Sequence, residues 1–228
     1  MSEIFPLLSE RDVTVSVRTA LAKWIHPLII VIASASIWLT HSAPLHSSER
    51  SAINVVTKVN EHVADLLGKY RGTAEFNSQV KIQLSDDLEV VLKRYLDIEA
   101  VSQAVLGVRW RSATRAQRKE FQSVFTRYLA EKYSSNLPEF AGLSFDVFDA
   151  EELKKNHFVV DVEFTTSNGN KSTTRWYVLR RSGRSRIVNL VIGSNNVLSI
   201  ERKVIRSLLE QRGGNIDRLN QYLPHRYY

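Results

Sequence analysis

From residue 53 the chain places apolar side chains at helical spacing. Ile53, Val55, Val56, Val59, Val63, Leu66 and Leu67 recur every few positions and predict a helix that closes near Gly68 and Gly72. A second helix is expected over residues 86–95, with Leu88, Val91, Leu92 and Tyr95 on one face and Ser85 as its N-cap. A third enters through Thr114 and Gln117, which have the spacing of a capping box. There the threonine oxygen accepts the N–H of Gln117, and the glutamine side chain accepts the N–H of Thr114. From Thr114 to Tyr133, Phe121, Val124, Phe125, Tyr128 and Leu129 share one broad stripe. Pro138 and Gly142 close this helical half.

The period then falls from 3.6 to 2. Leu143, Phe145 and Val147 alternate with small or polar partners, as do Phe158, Val160, Val162 and Phe164, the pattern of half-buried antiparallel strands. Asn168-Gly169 signals a hairpin before a strand over 172–181, and Ser182-Gly183 signals another before 187–192. A helix over 197–211, stopped by Gly213-Gly214, and a short one over 215–223 end the chain. Helices, then strands, then helices predict an α+β fold, a twisted antiparallel sheet of about four strands packed against helices.

The N-terminus follows another rule. Arg11, Arg18 and Lys23 precede an apolar run over 28–39 broken only by Ser34 and Ser36, and small and polar residues follow. That order is expected of an export signal, with cleavage after Ser42, and the run is short for a membrane span. An uncleaved N-terminal membrane anchor is the alternative. Residues 1–42 are therefore read as leader and 45–228 as one domain, placed in the periplasm.

Composition removes several chemistries. The chain has no cysteine, hence no disulfide and no thiolate nucleophile or ligand. It lacks a Gly-x-Ser-x-Gly elbow, a His-Glu-x-x-His pair, a Gly-rich phosphate loop and a dinucleotide fingerprint. The histidines do not converge in sequence; His157, opening a strand, reads as a strand-end residue. Asp86-Asp87 and Glu151-Glu152 read as pairs in turn or helix-start settings. No catalytic residue, metal site or cofactor is expected, and the chain is read as a non-enzyme.

The net charge is +7, unevenly spread: Lys171, Arg175, Arg180, Arg181, Arg184 and Arg186 fall in a stretch without Asp or Glu. Such a surface attracts phosphate head groups, acidic proteins or nucleic acid, and the sign alone does not choose among them. Arg175, Arg180, Arg181, Arg184 and Arg186 are taken as a candidate hairpin for partner or head-group docking, against a simple solvated surface.

The remaining feature is an excess of bulky apolar residues on both halves. Phe145, Phe158, Val160, Val162, Phe164, Tyr177 and Leu179 on the sheet could pack fully against Phe121, Phe125, Tyr128 and Leu129 on the 114–133 helix, or leave a hollow between them. Periodicity does not distinguish a filled core from a cavity.

The stretch 97–129 is the most distinctive of the chain. Asp97, Ala100, Leu106, Gly107, Trp110, Arg111, Ala113, Thr114, Gln117, Arg118 and Phe121 fall in a pattern that resembles the MlaC family of periplasmic phospholipid carriers. That resemblance implies acyl chains enclosed between sheet and helices, with the head group at the mouth. It implies candidate lining by Phe121, Phe125, Tyr128, Leu129, Phe145, Val160, Val162, Phe164, Tyr177 and Leu179. The implied partners are a phospholipid, an inner-membrane ABC transporter complex and an outer-membrane lipoprotein complex, with no nucleic acid. The runner-up is a periplasmic interaction or scaffold protein with a filled core and a basic docking surface. The chain departs from the pattern at Gly193–Leu198, where an acidic-Gly-Val-Ser-Leu stretch is common, and at Asn189, where Asp is common. Such departures fit a divergent, hopanoid-associated branch. Arg202 keeps its expected place.

Overall fold

Short side chains decide where the helices begin. Asp97 caps a helix by accepting the N–H of Ala100 at 3.0 Å, and Thr114 caps another through both bonds of the capping box, at 3.0 and 3.2 Å. Asn196 and Asn215 cap two more, accepting from Ser199 and Arg218. The computed structural model describes residues 46–70, 78–135, 142–166 and 169–225. The leader read over 1–42, Gly72, Pro138 and Asn168 lie outside them. Among the described residues no helix is long and apolar enough to cross a membrane.

The order is α1 (Ser47–Tyr70), α2 (Ser78–Tyr95), α3 (Ile98–Leu106), α4 (Val108–Ser112), α5 (Arg115–Ser134), β1 (Ser144–Lys154), β2 (His157–Thr165), β3 (Lys171–Arg181), β4 (Arg184–Ile192), β5 (Asn195–Asn196), α6 (Val197–Glu210) and α7 (Ile216–Tyr222). The fold is α+β, and its antiparallel sheet follows chain order, β1-β2-β3-β4-β5. Ser182 and Gly183, both at positive φ, join β3 to β4 as the two-residue hairpin the sequence signals.

Three sequence expectations are corrected. Helix α1 ends at Tyr70, close to the expected Gly68, but α2 starts at Ser78, so Ser85 is a buried mid-helix residue and not a cap. Asp86 and Asp87 consequently lie inside α2. Strand β1 extends to Lys154 and takes in Glu151 and Glu152, because a register irregularity between Val147 and Ala150 hides the alternation that would have announced its second half. Lys154 pairs with His157 across a turn at Asn156, whose φ is +64°.

Helix α1 lies along the inner face of β1–β4, while α5 packs with α2, α3 and α7. The expected pairing of the sheet with the 114–133 helix is therefore corrected: α1 takes that place. Both helices are amphipathic, and period alone does not tell which one meets the sheet.

Candidate functional site

The candidate lining residues separate into two groups. Phe121, Phe125, Tyr128 and Leu129 point into a helical core with Val105, Leu106, Trp110, Ile205, Leu208 and Leu219. The rings of Phe121, Phe125 and Tyr128 stack in sequence at 5.1 and 5.8 Å between centroids. Val160 and Val162 belong to a second core, with Phe158, Val178 and Ile187 of the sheet and Val55, Val56 and Val59 of α1. Phe145 and Phe164 are half-buried members of this second core, tilted against one another at 6.4 Å. Tyr177 and Leu179 lie on neither inner surface. They alternate with Trp176 and Val178, which face α1, and so take the opposite face of the sheet.

The two cores touch through Leu96, which packs against both. The ten lining candidates thus divide between these two cores and the outer face of the sheet. At the margin of the second core Val63, Phe145, Val147, Phe164 and Trp176 are only partly buried. Four strands about 4.8 Å apart make a face roughly 15 Å wide, broader than one helix of about 10 Å. Its apolar edge is left partly open by α1.

The basic hairpin is largely engaged within the molecule. Arg175 donates to both oxygens of Asp161, at 2.8 and 3.1 Å, which holds its guanidinium above the ordinary arginine range. Arg181 faces Glu99 at 3.4 Å and Asp97 at 3.8 Å, and Arg186 donates to the carbonyls of Lys93, Arg94 and Leu96. The compensating carboxylates come from distant stretches of chain, so local charge counting did not find them. Arg180 places Nε in a buried position without a partner, and Arg184 stands exposed at the turn.

The signature residues around Gly107 are chiefly structural. Gly107, at φ +58° and ψ −124°, ends α3 and starts α4, a combination that only glycine adopts readily. Trp110 turns into the helical core, 7% exposed. Arg118 lies 5.2 Å over its ring and donates to its carbonyl at 2.9 Å. Asn189 and Asn196, in the stretch that departs from the family pattern, both accept N–H groups of the first turn of α6. The departure is absorbed as helix capping.

Sequence reading missed Glu201. It is 2% exposed, yet its carboxylate accepts Tyr128 Oη at 3.0 Å, Lys132 Nζ at 2.5 Å and Tyr133 Oη at 2.6 Å. The available signal was its place on the apolar stripe of α6 with Leu198, Ile205 and Leu208. A second missed feature is a groove of about 590 Å³ between the α3–α4 hinge and α6, lined by Val105, Leu106, Val108, Arg109, Arg202 and Ile205 among others. It lies beside the helical core and away from the sheet.

The model of the MlaC protein family matches residues 60–224. A solved phospholipid-binding protein from Ralstonia solanacearum, in complex with a phospholipid, has a similar structure with a TM-score of 0.61. The two are 16% identical in sequence, and the similarity covers 77% of this chain and 96% of that one. No curated protein matches the chain.

Proposed function

Since the chain belongs to the MlaC protein family, we propose that it is a periplasmic carrier that holds a phospholipid, or a related lipid, by its acyl chains and acts without enzymatic chemistry of its own. The observation that supports this best is the partly open apolar face between α1 and the sheet, on a fold shared with a phospholipid-bound protein. Acyl chains entering there would rest on Val160 and Val162, between the half-buried rings of Phe145 and Phe164 and the α1 residue Val63. Each buried methylene contributes about 0.8 kcal/mol, so a dozen or so hold the lipid without polar recognition of its head group.

In this reading Phe121, Phe125, Tyr128 and Leu129 support the fold from the helical core rather than line the ligand. The carrier would be exported by its N-terminal leader and would exchange lipid with an inner-membrane ABC transporter complex and an outer-membrane lipoprotein complex.

Native mass spectrometry of protein purified from the producing cell tests the proposal, with lipid extraction from the same sample. The expected result is a one-to-one adduct with the mass of a phospholipid or related lipid. It should be lost in Phe164→Asp, whose half-exposed position lets the variant fold, as circular dichroism would verify. A ligand-free mass under conditions that preserve hydrophobic complexes would establish instead an interaction protein with a filled core.

A further inference from the structure

Helix α4 has five residues, and only one of them serves the core. With Trp110 turned inward, Val108 is left 76% exposed, and Arg109 and Arg111 flank it on the outside. Across from them, α6 contributes Arg202 and Arg206. Two concavities meet here: the groove of about 590 Å³, with Arg109, Arg202 and Arg206, and a shallower one of about 350 Å³, with Arg111 and Arg202. Both share Gly107 and Val108, so four arginines line concavities that meet at one exposed valine.

Two of these charges, Arg109 and Arg111, differ from those of the β3–β4 hairpin. Among the described residues Arg109 and Arg111 have no carboxylate within ion-pair distance, and Arg202 donates to the carbonyl of Ala104. Glu210 is the one acid lining the larger groove, and it is paired with Arg206 four residues earlier, at 2.9 Å. The floor is apolar and preformed, since Val105, Leu106, Ile205 and Leu209 are buried.

From this arrangement we infer that the α4–α6 groove is the docking site for a segment of a partner protein that presents an apolar side chain flanked by carboxylates. Guanidinium groups match carboxylates in a planar, two-point geometry. An apolar floor within an arginine rim takes a buried side chain with acidic neighbours, and a groove of several hundred Å³ suits a few side chains. A bilayer presents a broad plane that does not fill a concavity of this kind. The inference goes beyond the carrier proposal, because the groove belongs to the helical core and lies apart from the lipid-facing edge of the sheet.

The test is site-specific crosslinking in the producing cell, with the full chain carrying a photoreactive p-benzoylphenylalanine in place of Val108. The expected adduct is a protein whose crosslinked peptide, identified by mass spectrometry, contains carboxylates next to an apolar residue. Arg109→Glu and Arg206→Glu, both at exposed positions, should each lower its yield about tenfold. Exchanging a carboxylate of the crosslinked segment for lysine should restore it. Native mass spectrometry of the same variants, without the photoreactive residue, should show the lipid adduct unchanged, so that loss of docking and loss of lipid are read separately. An adduct indifferent to charge reversal, a crosslinked segment without carboxylates, or no protein adduct would overturn the inference. So would crosslinking to lipid together with Arg109-dependent sedimentation on phosphatidylglycerol vesicles, which would make a bilayer the occupant.

Discussion

Replacing Lys132 by methionine leaves the Glu201 carboxylate with two phenolic donors and no cation. Because Glu201 is 2% exposed, water cannot take the place of the ammonium group held at 2.5 Å. Removing one partner of a buried pair costs roughly 3–5 kcal/mol, and with Tyr128 and Tyr133 still bound the lower end, about 3 kcal/mol, is expected. The reverse change is milder. Glu201→Gln leaves one oxygen to accept a phenol, now as a neutral bond, and presents an amide N–H that the other phenol must turn to accept, while Lys132, with 24% of its side chain exposed, can turn to water. That change should cost about 1–2 kcal/mol. The double variant holds no uncompensated charge, so it should be more stable than Lys132→Met alone, which requires a coupling larger than the cost of Glu201→Gln, about 2–3 kcal/mol across the cycle. Urea unfolding of the four proteins, extrapolated to water, measures every corner. If Lys132→Met costs no more than Glu201→Gln, burial does not make this carboxylate depend on its cation, and the reasoning fails.

Trp110→Ala should cost about 3–5 kcal/mol, because it empties a buried site at the α3–α4 joint, while bound lipid is kept at temperatures where the variant stays folded. A fully stable variant that has lost only its lipid would place Trp110 in the ligand site. Asp87 accepts from Lys69 at 2.6 Å and Tyr70 at 2.9 Å, and the lysine bond above all holds its carboxyl below the usual range. Its folded pKa is thus lower than its unfolded one, so the α1–α2 tie is fully present above the unfolded value near 4 and fades as pH falls through the folded one. Asp87→Asn should cost at most about 1 kcal/mol at neutral pH, since the pair is partly exposed, and the gap from wild type should close in acid; a gap independent of pH would refute the assignment. Arg184→Glu should slow salt-sensitive association with anionic vesicles more than Arg175→Glu, which also breaks the Asp161 pair; stopped-flow rates indifferent to both would leave the hairpin a solvated surface.

Most elements of this fold are legible in the sequence, because each is announced locally. The capping box at Thr114 and Gln117, the Ser182-Gly183 turn and the alternation from Phe158 to Phe164 need only neighbouring residues to act. What distance along the chain conceals is which face meets which. Both α5 and α1 carry an apolar stripe, yet α1 takes the sheet and α5 the other helices. The same holds for charge: Arg175 finds Asp161 in the neighbouring strand, and Arg181 finds Glu99 at the start of α3. The signature residues were the easiest to notice, and their places explain why. Asp97, Gly107, Thr114 and Gln117 set chain direction, and Trp110, Arg118 and Phe121 fill or cover the helical core. They report the fold, and leave the proposed ligand edge of the sheet to residues such as Val63 and Phe164 that carry no motif.

The separation of the α5 core from the α1–sheet core has a consequence for the proposed carrier, which would alternate between loaded and empty. An emptied container with one continuous interior would tend to collapse onto itself or unfold when its cargo leaves. Here the stacked rings of α5 belong to a different core from the α1–sheet edge, so the helical half can remain rigid while the other half loosens and re-forms. Amide hydrogen exchange on delipidated protein should follow that seam, slow in α3, α5 and α6 and faster in α1 and the margin strand β1. In the proposed carrier, mutations at that margin could then change what it holds without threatening the half that keeps the empty protein folded.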